Sequence, residues 1–298
     1  MSARQGNLSI NSENMLPIIK KWLYSDHDIF VREQISNACD AITKLKKLQG
    51  IGEYRPEEEP VYEISVEFDP EEKTLTFVDT GIGMTAEEVE EYITQIAFSG
   101  ATEFIEKYQG SAEGEQIIGH FGLGFYSAFM VADEVHIDTL SYKDGAESVH
   151  WESDGQSTYT IEEGDKDTIG TEITLFLNDD CYEFCNEYRL REVIEKYCSF
   201  MPYPIYLTDI SDAGAKKRAD EIKKIEEENA KAIQEAQAKG EEMPALKDLP
   251  VPEAINDTNP LWMRKPSEVT DEEYKEFYRK VFRDYKEPLF WLHRNTDY

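Results

Sequence analysis

The stretch Ile29-Phe-Val-Arg-Glu-Gln-Ile-Ser-Asn-Ala-Cys-Asp-Ala-Ile42 carries two patterns at once. Val31, Ile35, Ala38, Ile42 and Leu45 recur at helical spacing and mark a core-facing stripe, while Glu33, Asn37 and Asp40 gather on the other side. Ser, Asn and Asp are weak helix formers because their side chains compete for backbone hydrogen bonds, so collecting them in mid-helix has a local cost. A merely solvated face is more cheaply built from Lys and Glu. Taken alone, the simplest reading is still an exposed polar face; the rest of the chain turns it into a binding face.

Downstream of this helix, which runs to Gly50, Tyr62, Ile64, Val66 and Phe68 alternate with Glu63, Ser65 and Glu67, Asp69-Pro70 makes a turn, and residues 74–78 return as a second strand. Asp79 ends that hairpin and leads into Thr80-Gly-Ile-Gly-Met84, after which Thr85 caps a short helix with Glu88 at the capping-box position. Upstream, a helix begins at Ser12 and runs through Leu16, Ile19 and Leu23. Residues 94–118 hold Ser99-Gly100, Gly110-Ser111 and Gly114 with weak periodicity, which reads as a lid. Gly119-His-Phe-Gly-Leu-Gly-Phe-Tyr126 then opens a helix through Phe129 and Val131. Strands are predicted at 135–140, 147–151, 157–161, 171–177 and 204–208, with a helix near 187–199. Helices followed by a mostly antiparallel meander give an α+β class.

Near Asp209 the character changes. Residues 216–239 are almost wholly Lys, Glu, Ala, Asp, Gln and Ile, lack a broad apolar face, and precede Pro244, Pro250 and Pro252, so 209–257 reads as a charged linker with transient helix, the alternative being an ordinary surface helix. Beyond it, Leu261, Trp262, Tyr274, Phe277, Tyr278, Phe282, Phe290 and Trp291 form an aromatic-rich piece that reads as the start of another domain. The organisation expected is 1–208, 209–257 and 258–298.

Composition limits the partners. Thirty-one Lys and Arg against 62 Asp and Glu leave a formal charge of −31, which repels nucleic-acid backbones and anionic membranes. A local cleft with backbone donors and a metal ion still binds phosphate against that field. Cys39, Cys181, Cys185 and Cys198 lack metal-ligand spacing and read as reduced thiols. With no apolar leader and no run of the ~20 apolar residues that span a bilayer, the chain is expected to be cytoplasmic.

Gly119-x-x-Gly122-x-Gly124 lacks the Lys-Ser/Thr of a P-loop and the Rossmann spacing, but it offers a run of backbone N–H groups at a helix N-terminus, which suits anionic phosphate. In order, Glu33-x-x-x-Asn37, Asp79-x-Gly81-x-Gly83, Gly119-x-x-Gly122-x-Gly124 and Gly170-Thr171 resemble the four boxes of the GHKL ATP-binding superfamily. Phe30 to Glu33, Ser36 to Ala38, Gly81 to Thr85, Gly119 to Ser127 and Gly170 to Thr174 narrow this, being similar to the ninety-kilodalton heat-shock chaperones of the bacterial HtpG branch. The resemblance covers residues 8–208 and resumes at 261–293.

The resemblance implies a Bergerat-type two-layer sandwich, with helices on one face of a mostly antiparallel sheet, and an ATPase that drives a chaperone cycle. Asp79 would accept a hydrogen bond from the adenine amino group with Thr171 assisting through water, Asn37 would ligate Mg²⁺, and Glu33 would orient or deprotonate the attacking water. Asp40, Gly83, Met84, Ser99, Gly100, Gly119, Phe121, Gly122, Leu123, Gly124 and Phe125 complete the ATP/ADP site that the family implies. It further implies unfolded client proteins, a homodimer in the full-length protein, and very slow hydrolysis by this chain alone, because the family draws a catalytic arginine from farther on. Tyr92, Thr94 and Phe98 stand where the family has polar and cationic lid-entry residues, and His120 and Leu123 replace the usual Gln and Val. The alternatives are a nucleotide-sensing module without turnover and another GHKL ATPase such as a histidine kinase.

Overall fold

A computed structural model describes residues 26–94, 118, 124–155, 158–239, 245–282, 284 and 286–294. The expected upstream helix at 12–23, and all of the 94–118 segment except Thr94 and Ile118, lie outside them.

Helix α1 spans Ile29–Gly50, and its predicted stripe is buried: Val31, Ile35 and Ile42 are fully inaccessible, with Ala38 and Leu45 nearly so. Asp28 stands at its N-cap without bonding the helix amides. Instead its carboxylate pairs with Arg189 and with Lys196 Nζ at 3.3 Å, joining the start of α1 to helix α3, Glu187–Tyr197. The hairpin forms as expected, β1 at Ile64–Asp69 and β2 at Thr74–Asp79, with Asp69 Oδ1 accepting the Glu71 N–H at 2.8 Å in the turn. Thr85 and Glu88 make the predicted capping box for α2, Ala86–Tyr92.

The remaining strands are β3 (Ala132–Leu140), β4 (Val149–Ser153), β5 (Thr160–Glu163), β6 (Gly170–Leu177) and β7 (Ile205–Asp209), so β4 and β5 begin later than their expected starts of 147 and 157. They join in one seven-stranded sheet of order β5-β4-β3-β6-β2-β1-β7. Every pairing is antiparallel except β1 with β7. This is the α+β class read from the sequence. Alternation sends Val135, Ile137 and Thr139 of β3 into the core and leaves His136 and Asp138 on the opposite face.

Two local readings are refined. The segment after the glycine-rich loop is a 3₁₀ helix, Phe125–Met130, closed by Ser127 donating its N–H and its hydroxyl to the Gly124 carbonyl at 3.1 and 2.6 Å. All six of its residues are buried, and β3 begins only two positions later, so the chain makes a short tight turn rather than an α-helix. The stretch read as a charged linker contains a continuous 28-residue helix, α4, at Asp212–Lys239. Lys, Glu, Ala and Gln are strong helix formers, and the Ser211 hydroxyl accepts the Gly214 N–H at 3.1 Å at its start, so no broad apolar face is required. The chain then returns to the sheet: Asn256 Oδ1 accepts the Ile205 N–H at 2.8 Å, and its amide nitrogen donates to the Met201 and Tyr203 carbonyls at 2.9 and 2.8 Å. Trp262 and Phe277, the latter on helix α5 (Asp271–Phe282), pack around Phe200 with ring centroids 4.7 and 5.7 Å away.

Candidate functional site

Asp79 is the last residue of β2, and the ladder places it directly across from Thr171 on β6. Both side chains are buried. Asp79 Oδ1 accepts the Gly81 N–H at 2.8 Å, and no donor among the described residues reaches its other oxygen. Burial pushes the Asp79 pKa up to about 7, although the Gly81 N–H and the positive charge of Lys166 both act to lower it. A carboxyl buried this far with one internal donor is unfinished as a structural element and suited to an external donor.

The corner around it is tightly specified. Thr139, fully buried on β3, has its hydroxyl 3.0 Å from that of Thr171, 3.1 Å from the Gly170 carbonyl, and accepting the Met84 N–H at 3.0 Å. Gly170 has φ 132° and Gly83 φ 61°. A Cβ would lie 2.1 Å from the Asp79 carbonyl oxygen at the first position and 1.9 Å from the Leu140 carbonyl oxygen at the second, so both must be glycine. The intervening loop is bonded on either side: Ile82 donates to the Ala41 carbonyl of α1 at 3.1 Å and accepts from the Tyr142 N–H at 3.0 Å.

Farther up α1, Glu33 and Asn37 form a second cluster. A Cβ on Gly124 would stand 2.7 Å from Glu33 Oε2 and 3.6 Å from Asn37 Oδ1, which puts the end of the glycine-rich loop on the polar face of the helix. Gln34 Nε2 holds it there by donating to the Phe125 carbonyl at 3.3 Å. Arg32 takes the other Glu33 oxygen, with Nη2 at 2.5 Å and Nε at 3.1 Å from Oε1, leaving Oε2 turned toward Gly124. Helix α1 is thus a spine: Ala41 touches the Asp79 loop, and Glu33, roughly 12 Å away at 1.5 Å per residue, meets the glycine-rich loop.

The other predicted positions divide. Asp40 is buried and accepts the Ile118 N–H at 2.8 Å. Met84 is half-buried against the core, and the Phe125 ring sits edge-on to Trp151 with centroids 5.8 Å apart while its carbonyl serves Gln34. Thr94 bonds its hydroxyl back to the Glu90 carbonyl. Ser99, Gly100, Gly119, Phe121, Gly122 and Leu123, with Phe98 and His120, lie outside the described residues. Sequence reasoning missed Thr139, Arg32, Gln34 and Lys44. Burial lowers the Lys44 pKa, while the carboxylates of Asp40 and Glu88 act to raise it. A polar residue on the inward alternation Val135, Ile137, Thr139 was the available signal for the first of these.

Cys39, Cys181, Cys185 and Cys198 are free and buried. Among the described residues no helix is long and apolar enough to cross a membrane.

The family model for the histidine kinase-, DNA gyrase B- and HSP90-like ATPases matches residues 25–180, and that for Hsp90 protein matches 183–297. The chain is 48% identical over 297 residues to the chaperone protein HtpG of Bacteroides thetaiotaomicron, covering 99% of this chain and 38% of the relative. For the chaperone protein HtpG of Porphyromonas gingivalis the identity is 42% over 296 residues, covering 99% and 39%. For that of Halorhodospira halophila it is 36% over 287 residues, covering 96% and 41%. The chain therefore spans about two fifths of the length of the curated relatives it matches.

Proposed function

Since this chain belongs to the histidine kinase-, DNA gyrase B- and HSP90-like ATPase family, as an HtpG-type Hsp90 N-terminal region, we propose that it is the nucleotide-binding part of an ATP-dependent chaperone. It binds ATP and ADP between the Asp79–Thr171 corner and the Glu33–Asn37 face. The buried, incompletely bonded carboxylate of Asp79 opposite Thr171 is the observation that carries this reading.

A carboxylate is acceptor-only, so Asp79 selects a base that presents an amino group and disfavours guanine, which presents a carbonyl there. Thr139 fixes the Thr171 hydroxyl and the Met84 amide, so the corner keeps its shape without a ligand. Asn37 supplies an amide oxygen, the hard donor that Mg²⁺ prefers, on the same face that Gly124 approaches. A Mg²⁺ held by the Asn37 amide oxygen would neutralise phosphate charge on this face. Glu33, with Oε1 held by Arg32, presents Oε2 in a fixed direction, as a residue that orients or deprotonates water requires.

The same reading includes client proteins, which the relatives' description as chaperone proteins supports, together with a homodimer of the full-length protein and a cytoplasmic setting. The division into 1–208, 209–257 and 258–298 is kept as a proposal, with α4 inside its middle part.

Hydrogen exchange with and without ADP and Mg²⁺ tests the placement. Slower exchange is expected in peptides covering 79–84 and 168–172, with no change in β4 and β5. Protection confined to other segments would move the site.

A further inference from the structure

On the sheet face turned away from the nucleotide cleft, two histidines converge on one carboxylate. The ladder sets His136 of β3 directly across from Glu152 of β4, and Asp138 across from His150. His136 Nε2 lies 3.6 Å and His150 Nε2 3.8 Å from the same oxygen, Glu152 Oε2, and one ligand atom from each of these three residues falls within 4.8 Å of the others. Glu134 Oε1 is 2.8 Å from His136 Nε2. The Asp138 carboxylate holds His150 Nδ1 at 2.7 Å, which fixes that ring and leaves Nε2 as its outward nitrogen. The two imidazoles meet edge-on with centroids 5.2 Å apart, and the Phe176 ring backs His136 at 4.6 Å.

We propose that His136, His150 and Glu152, with Glu134 as a further oxygen donor, form a binding site for one zinc-class divalent transition metal ion. Two imidazole nitrogens with one or two carboxylate oxygens suit zinc and its neighbours and are poorly matched to magnesium or calcium, which take oxygen alone. Bonds of about 2.0 to 2.1 Å in a tetrahedron place ligand atoms roughly 3.3 Å apart, so the present spacings need to close by only a few tenths of an ångström around Glu152. Asp138 on the far nitrogen of His150 is the carboxylate–histidine arrangement that fixes the tautomer and strengthens a ligand. Charge agrees: Glu134, Asp138, Glu152 and Glu162 surround the rings, and the cation on the adjoining strand connection, Lys166, is already paired with Glu172 at 2.5 Å. The imidazole side chains are 22% and 21% exposed, enough for a hydrated ion to reach them. An ion here ties β3 to β4 on the side of the sheet that the nucleotide does not use.

The test titrates the 298-residue chain with Zn²⁺ against a chromophoric chelator, and with Co²⁺ for its visible spectrum. His136→Ala, His150→Ala, Glu152→Gln and Asp138→Asn are run beside it, with circular dichroism and ADP binding checking the fold. Binding of one equivalent is expected, weakened at least tenfold in each histidine variant and about tenfold in Asp138→Asn. The cobalt spectrum should lack thiolate charge transfer, which separates this site from Cys181 and His27, 3.6 Å apart elsewhere in the fold. Failure of the chain to bind Zn²⁺, or binding that survives both histidine substitutions or shows thiolate absorbance, overturns the proposal.

Discussion

Replacing Asp79 with Asn is expected to weaken ADP binding by ~30-fold or more and, at the same time, to stabilise the empty protein above neutral pH. The two effects share one cause. A ligand's amino group loses a charged acceptor, at about 2 to 4 kcal/mol, which sets the affinity loss. In the empty protein the same charge is a burden, because burial raises the Asp79 pKa from 3.8 to about 7. Below 3.8 the carboxyl is protonated whether the chain is folded or not, so nothing is lost there. As pH rises through that value the unfolded chain ionises first, and native stability falls until pH passes about 7. The full loss is at most about 4 kcal/mol, from roughly 1.36 kcal/mol per pH unit. Asn carries no charge and its oxygen still accepts the Gly81 N–H, so the variant escapes the loss. ADP affinity of the unsubstituted chain should accordingly fall as pH drops below about 7, a slope that Asp79→Asn removes. Calorimetric titration and thermal melts across that range measure both; an Asn variant that binds ADP normally removes Asp79 from the site.

Glu33→Ala is expected to retain ATP while losing ~10²-fold or more of the hydrolysis rate, measured in a chain of the relatives' full length. Glu33 sits about eight residues of helix away from the Asp79 loop, so removing it leaves the base corner intact. What disappears is Oε2 beside Gly124, together with the Arg32 pair that aims it. Phosphate release under steady-state conditions, with nucleotide affinity measured in parallel, separates the two. Turnover that persists would assign the base elsewhere, with Asp40 the next carboxylate along the helix.

How far the sequence could be read depended on the range of the interactions involved. Helix α1 and the β1–β2 hairpin were legible because their periodicities are local and both carry unambiguous ends, at Gly50 and at the Asp69-Pro70 turn. Asp79 was legible as a residue, but its burial and its pairing with Thr171 depend on the β2–β6 ladder, which joins positions far apart in the chain. Thr139 was missed for the same reason: its role exists only once β3, β6 and the Met84 loop meet. The composition of 209–257 left the length of its helix open, because a helix stabilised by propensity and capping carries no apolar stripe to mark its extent. Arg32 stood beside Glu33 in the quoted motif, yet neighbouring residues on a helix do not ordinarily face each other, so the pair was not anticipated.

The claim that Asp79 and Thr171 read an adenine amino group is tested most directly by titrating this chain with ADP and with GDP in the presence of Mg²⁺ at about pH 8, where the carboxylate is ionised. ADP should bind and release heat in a single-site isotherm, while GDP, whose carbonyl would face the Asp79 carboxylate, should bind at least ~100-fold more weakly. Equal affinity for the two nucleotides would contradict the account.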